Sequence, residues 1–125
     1  MQSATWQVHM TDSDVFIRPV SGRAHVSFDG AEIGSSLNAL ELHQPGAPVR
    51  IYFPRDDIQP GILELSETRG TDPVLGEIHY STIKTLTATG PDQAWFHPEP
   101  PAEFADLTDL IAFSGDRIEH RFSEV

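Results

Sequence analysis

The sequence predicts a mainly β protein, built as a single compact domain of twisted antiparallel sheets with one or two short helical turns. Its 125 residues suffice for one hydrophobic core but not for two of ordinary size. The 10 prolines and 9 glycines fall between short apolar stretches, as is typical of strands joined by turns. Several of those stretches alternate apolar and polar residues, which indicates strands with one buried face.

The clearest strand signal is a hairpin that begins at Arg23. Apolar residues alternate with polar ones up to Phe28, and the pair Asp29-Gly30 follows directly. An Asp-Gly pair at this position is typical of a two-residue primed turn. We therefore expect the return strand to begin near residues 31–33.

Further strands are predicted where the same alternation recurs. One covers Val49–Phe53 and ends at Pro54, and another covers Ile78–Ile83. A last strand covers Arg117–Phe122, and the short polar loop before it predicts that it pairs with Leu110–Phe113.

Helical structure is expected in two short segments only. Residues 55–59 and 101–110 each offer proline or acidic residues suited to a first helical turn. Residues 1–11 are expected to form a frayed N-terminus, which leaves residues 12–125 as the β-domain.

Charge and composition exclude several classes of function. Eight Lys and Arg against 19 Asp and Glu give a net charge of −11, which repels nucleic acid backbones and anionic membrane surfaces. The absence of cysteine excludes disulfides, thiolate catalysis and cysteine-built zinc sites. Residues 1–10 lack the pattern of a secretory signal, so we expect a cytoplasmic protein without nucleic acid or membrane partners.

No motif for a cofactor or a metal is present. The six histidines show no local pair at metal-ligand spacing, and neither a phosphate loop nor a dinucleotide-binding glycine motif occurs. We therefore expect neither a metal nor another cofactor.

One group of candidate binding residues follows the strand that ends at Phe53. Tyr52, Arg55 and Asp56 lie at this strand end, where binding residues often collect on a rigid frame. Arg55 could clamp a carboxylate or phosphate, with Asp56 orienting it or accepting a proton. Alternatively, Arg55 pairs internally and a neighbouring aspartate caps the turn.

A second group lies in the proline-rich segment from Ala94 to Pro101. The prolines hold His97 and Glu99 in extended geometry beside Trp95, so these side chains could line a pocket. Alternatively, the aromatic residues belong to the core and its rim, and the prolines close a sheet edge.

These segments resemble the domain-of-unknown-function 427 family, a group of small, mostly bacterial, β-rich proteins. The resemblance rests on YFPRDDI at 52–58, LELSET at 63–68 and AWFHPEP at 94–100, and it continues through residues 111–113 and 116–119. It implies a compact β-domain with a tent-like arrangement of sheets. Some family labels mention nucleotidyl transfer, but the sequence has no phosphate loop or paired-carboxylate metal motif that would support it.

The chain departs from the family pattern at one loop. Many relatives carry a CPYKG-like loop before a strand, where this chain has DPVLG at 72–76 followed by His79 and Tyr80. Asp72 thus stands in place of the family's loop cysteine. The resemblance implies that this member has either lost the loop chemistry or carries it on Asp72 and His79.

Three hypotheses for function follow. The first is a pocket at the strand ends that binds a small anionic molecule; its residues are Tyr52, Arg55, Asp56, Trp95, His97 and Glu99, with His79 and Tyr80 across the sheet. The second is a non-catalytic module that binds a protein partner or a second copy of the chain through an edge strand. The third is a hydrolase or transferase that uses Asp56, His97 and Glu99.

Overall fold

The computed structural model describes residues 14–124, and ten strands in that range form two antiparallel sheets. The expected mainly β fold is confirmed, whereas the expected fraying of residues 1–11 concerns residues outside the described range. The larger sheet has seven strands, in the spatial order β1 (Phe16–Pro19), β4 (Leu40–His43), β5 (Arg50–Phe53), β9 (Ile111–Phe113), β8 (Thr89–Phe96), β7 (Gly76–Lys84) and β6 (Leu63–Asp72). The smaller sheet has the order β10 (Ile118–Ser123), β2 (Arg23–Phe28) and β3 (Ala31–Ser36).

The hairpin between β2 and β3 forms as predicted. Asp29 and Gly30 connect the two strands with φ angles of 52° and 85°, and Phe28 pairs with Ala31. Two consecutive positive φ angles are what a primed two-residue turn requires, which explains the Asp-Gly pair.

The main core lies between the two sheets. Strand alternation directs Val26 and Phe28 inward from the smaller sheet, where they meet Ile51, Phe53 and Phe113 of the larger one. Each such side chain contributes about 1.5–3 kcal/mol when it is fully buried. This shared core joins the sheets in the tent-like arrangement that the family resemblance implied.

A second apolar cluster covers the opposite face of the larger sheet. A 3₁₀ segment at Ala102–Leu107 places Phe104 and Leu107 against Tyr52 and Leu75. A shorter 3₁₀ turn occupies Arg55–Asp57, so both predicted helical segments are present. No helix among residues 14–124 is long and apolar enough to cross a membrane.

The predicted pairing of the last strand with Leu110–Phe113 is wrong. Strand β9 pairs with β5 and β8 in the larger sheet, whereas β10 pairs with β2 in the smaller one. The physical reason is burial, because all three residues of β9 are buried and need packing on both faces. Only the middle of a sheet provides that, while the alternating β10 suits a sheet edge.

The shortness of β9 opens the larger sheet. Its pairing with β5 is limited to Tyr52 with Ala112 and Phe53 with Ile111. After Phe113 the chain turns towards the smaller sheet, so the first part of β5 has no strand on this side. A gap therefore separates Arg50 from β8, and a cavity lined by Arg50 and by Asp92 and Trp95 of β8 lies at this gap.

Candidate functional site

The cavity has a volume of about 660 Å³ and opens to solvent at the gap beside β9. Its wall combines apolar and polar side chains from both sheets. The side chains that line it include Arg50, Ile78, Tyr80, Asp92, Trp95, Ile118 and His120. The volume lies within the roughly 300–1,000 Å³ that is usual for small-molecule sites.

Arg50 is held at the cavity wall by Asp72. Its Nη1 donates a hydrogen bond of 3.2 Å to Asp72 Oδ2, while Asp72 Oδ1 accepts the backbone N–H groups of Val74 and Leu75 at 2.8 and 2.9 Å. Burial tends to raise the pKa of Asp72, but these N–H groups and the Arg50 guanidinium together hold it below its ordinary value. Asp72 therefore stays ionised and fixes the direction of the guanidinium.

Tyr52 and His97 form a buried hydrogen-bonded pair behind the cavity. The Tyr52 hydroxyl lies 2.9 Å from His97 Nε2, and His97 Nδ1 lies 3.2 Å from the carbonyl oxygen of Glu77. A carbonyl can only accept, so Nδ1 carries the proton and Nε2 accepts from the Tyr52 hydroxyl. With these directions, the Tyr52 hydroxyl and both ring nitrogens of His97 each have a hydrogen-bond partner.

Burial keeps both members of this pair neutral. It raises the pKa of Tyr52, against the opposing influence of the Arg50 guanidinium and the Trp95 indole. It also lowers the pKa of His97, although the Glu77 carbonyl opposes this shift. Tyr52 and His97 are fully buried, so they support the cavity wall from behind rather than forming part of it.

A row of side chains links this pair to the cavity. Tyr52 and Trp95 both lie opposite Ala112 in the sheet register, one on each side, and Tyr80 lies opposite Trp95 on the next strand. Since the Ala112 side chain is a single methyl group, Trp95 can approach Tyr52 across it. The Trp95 and Tyr80 rings pack with their centroids 6.3 Å apart, and both rings line the cavity.

Two buried nitrogen atoms of cavity residues have no hydrogen-bond partner among residues 14–124. Trp95 Nε1 is one of these atoms, although the Trp95 indole lowers the pKa of the Tyr52 hydroxyl. His120 Nε2 also lacks a partner, while the ring stacks on Phe53 at 6.2 Å. Unpaired buried polar atoms are rare in folded proteins and costly when no ligand or water satisfies them.

The residues that the sequence predicted as ligand-binding lie against two different faces of β8. Trp95 and His97 point to the face with Tyr52, whereas Phe96 points to the other face. The Arg55 guanidinium lies over the Phe96 ring at 4.9 Å, and the His79 ring meets the same ring edge-on at 5.4 Å. Arg55 and His79 therefore surround Phe96 rather than the cavity.

Asp56 and Glu99 are exposed in the structure. Asp56 borders a shallow surface depression beside Glu32 and Asp57, which is separate from the cavity. Of the residues that the sequence singled out, Tyr80 and Trp95 line the cavity, and Tyr52, Asp72 and His97 support its wall from behind.

Several residues of the cavity wall, Arg50 and His120 among them, were not predicted from the sequence as site residues. Strand alternation could have identified Arg50, because Arg50 and Tyr52 are two residues apart in β5 and their side chains share a face. His120 could be placed only with the correct partner for β10, since its position depends on the packing of one sheet against the other.

The chain belongs to a family described as a domain of unknown function, DUF427, whose model carries the label NTP_transf_9 and matches residues 16–124. This confirms the family that the sequence motifs indicated. The comparison with curated proteins finds no match. Within the described residues, no group of three or more His, Asp or Glu side chains is arranged to hold a metal ion.

The first prediction concerns the buried pair. Replacing Tyr52 by Phe removes the donor to His97 Nε2 and leaves a buried acceptor unpaired, which should lower the free energy of unfolding by about 1–3 kcal/mol. Urea denaturation measures this change. Tyr80→Phe removes a hydroxyl from a half-buried ring and should stay within about 0.5 kcal/mol of the wild type. Equal effects of the two variants would contradict the account.

The second prediction concerns pH. Burial lowers the folded-state pKa of both His97 and His120 below the ordinary 6.5. The unfolded chain therefore binds protons first as the pH falls below about 6.5, so the free energy of unfolding should fall there, by at most about 1.4 kcal/mol per pH unit for each histidine.

The contribution of one histidine can be isolated by removing its ring. Urea denaturation of His120→Gln between pH 7.5 and 5.5 should show a smaller loss of stability with falling pH than the wild type does. An unchanged pH dependence in this variant would show that His120 does not titrate with a lowered pKa.

Proposed function

We propose that the protein binds a small molecule with a single carboxylate group in the cavity beside β9. The observation that carries the proposal is a cavity of about 660 Å³ whose one permanent cation among the described lining residues, Arg50, is held in place by Asp72. A guanidinium group has five N–H donors, so Arg50 can bind Asp72 and still offer donors to a ligand. A planar carboxylate fits that fork of donors.

The charges around the cavity favour a monoanion. Hydrogen bonds from Ser66 and Thr68 lower the pKa of Asp92, so this lining residue is a second fixed charge, of negative sign. The protein as a whole carries a net charge of −11. A phosphate with two negative charges would meet more repulsion than a carboxylate with one.

The remaining wall suits an apolar or aromatic body on the ligand. Trp95 and Tyr80 offer ring faces, and Ile78 and Ile118 offer aliphatic surface. His120 Nε2, which has no partner in the described residues, could bond to a polar substituent. The fixed supports behind Arg50 and Trp95 reduce the entropy that binding must overcome, which favours affinity.

Benzoate is a suitable probe because it joins one carboxylate to an aromatic ring. The chain has two tryptophans, Trp6 and Trp95, so a Trp6→Phe background leaves Trp95 as the single tryptophan reporter. Titration with benzoate should change the Trp95 fluorescence in a saturable way. Benzamide, which has the same shape without the charge, should bind more weakly.

The third prediction compares two arginines in that background. Arg50→Gln should raise the Kd for benzoate about 10- to 100-fold, because a hydrogen bond to a charged group contributes about 1.5–3 kcal/mol. Arg69→Gln makes the same charge change on the exposed strand β6 and should leave the Kd unchanged. Equal effects of the two substitutions, or no saturable signal in the wild type, would contradict the proposal.

A further inference from the structure

The outer face of the smaller sheet carries a second polar cluster, formed by Ser123, His25 and Glu32. Each residue comes from a different strand, in the order β10, β2 and β3. Ser123 Oγ lies 3.0 Å from His25 Nε2, and His25 Nδ1 lies 2.9 Å from Glu32 Oε1. The cavity residues Ile118 and His120 point to the other face of β10, so this cluster is separate from the cavity.

The chemistry of these groups sets the direction of both hydrogen bonds when the imidazole is neutral. The Glu32 carboxylate accepts, so His25 Nδ1 carries the proton that it receives. In the neutral tautomer that this contact selects, Nε2 is an acceptor and the Ser123 hydroxyl donates to it. The result is a serine, a histidine and a carboxylate in the order found in acyl-transfer sites, which are recognised by geometry rather than by fold.

Burial and charge around the cluster match these roles. The His25 side chain is largely buried at 11% exposure, whereas Ser123 is half-buried and reachable from solvent. Arg23 lies opposite Ser123 in the register, and its Nη1 donates to Ser35 Oγ on the same face. A negative charge that develops on a substrate oxygen beside Ser123 would lie near this guanidinium.

We propose that Ser123 is a nucleophile towards small acyl esters, with His25 as its general base and Glu32 as a positioning residue. Small substrates are favoured because the cluster lies on a sheet face, which offers no pocket to enclose a large acyl group. None of the three residues lines the cavity beside β9, and none belongs to the segments from which the binding residues were predicted.

The reaction balances with these groups and water. Ser123 Oγ bonds to the ester carbonyl carbon while its proton passes to His25 Nε2. The carbonyl oxygen becomes an oxyanion, then the bond to the leaving alkoxide breaks and His25 returns the proton to it. Water attacks the acylated Ser123 by the same route, which releases a carboxylic acid and restores the hydroxyl.

A fluorophosphonate probe tests the nucleophile directly. Attack by Ser123 Oγ forms a P–O bond and releases fluoride, and the serine proton passes through His25 to solvent. Mass spectrometry of the intact protein and of its peptides should find one adduct, on Ser123. Ser123→Ala should abolish this adduct, whereas Ser27→Ala, which removes another hydroxyl from the same face of the sheet, should leave it unchanged.

The rate of labelling separates a reactive serine from a purely structural hydrogen bond. His25→Gln should slow labelling by about 100-fold or more, as expected for the loss of a general base. Glu32→Gln should slow it about tenfold, since Glu32 is 47% exposed and its effect is screened, and Glu32→Asp should restore part of the rate. Thermal unfolding checks that each variant is folded.

Three results would overturn the proposal. These are no adduct on the folded wild-type protein, an adduct on residues other than Ser123, and a labelling rate that folded Glu32→Gln leaves unchanged. Because Glu32 lies at the surface, that variant keeps the test decisive even if His25→Gln fails to fold.

Discussion

The structure depends on β9, a strand of three residues that is buried on both faces at the centre of the larger sheet. Ile111 and Phe113 enter the core between the sheets, while Ala112 lies on the opposite face between Tyr52 and Trp95. A longer strand would close the sheet. Because β9 ends at Phe113, β5 is paired with β9 at Tyr52 but not at Arg50. The cavity therefore lies directly beside a well-packed part of the sheet.

Polar contacts connect the loop at residues 72–76 to this cavity. Asp72 caps its own turn through two backbone N–H groups and also binds Arg50. Arg50 in turn lies beside the Tyr52 hydroxyl, which donates to His97. Asp72 therefore both caps its own turn and orients the cation of the cavity wall.

Local sequence patterns sufficed for much of the fold but for only part of the site. Alternation and the Asp-Gly pair predicted the β2–β3 hairpin, because both the strands and the turn depend on neighbouring residues. The partner of β10 depends on burial across two sheets, which a loop sequence does not encode. The two arginines show the same limit. Arg55 was predicted as a binding residue from its local motif, whereas Arg50 faces the cavity because β9, which is distant in sequence, ends at Phe113.

The central claim is that Arg50 and Trp95 together bind a carboxylate beside β9. Two-dimensional ¹H–¹⁵N NMR resolves the side-chain N–H groups of both residues, with the Trp6→Phe variant assigning the indole signals. We expect benzoate to shift the Trp95 indole and Arg50 Nε–H resonances with one common saturation curve, and to leave the Arg69 Nε–H resonance in place. Benzoate-dependent shifts that appear elsewhere while the Arg50 and Trp95 signals stay fixed would contradict the account.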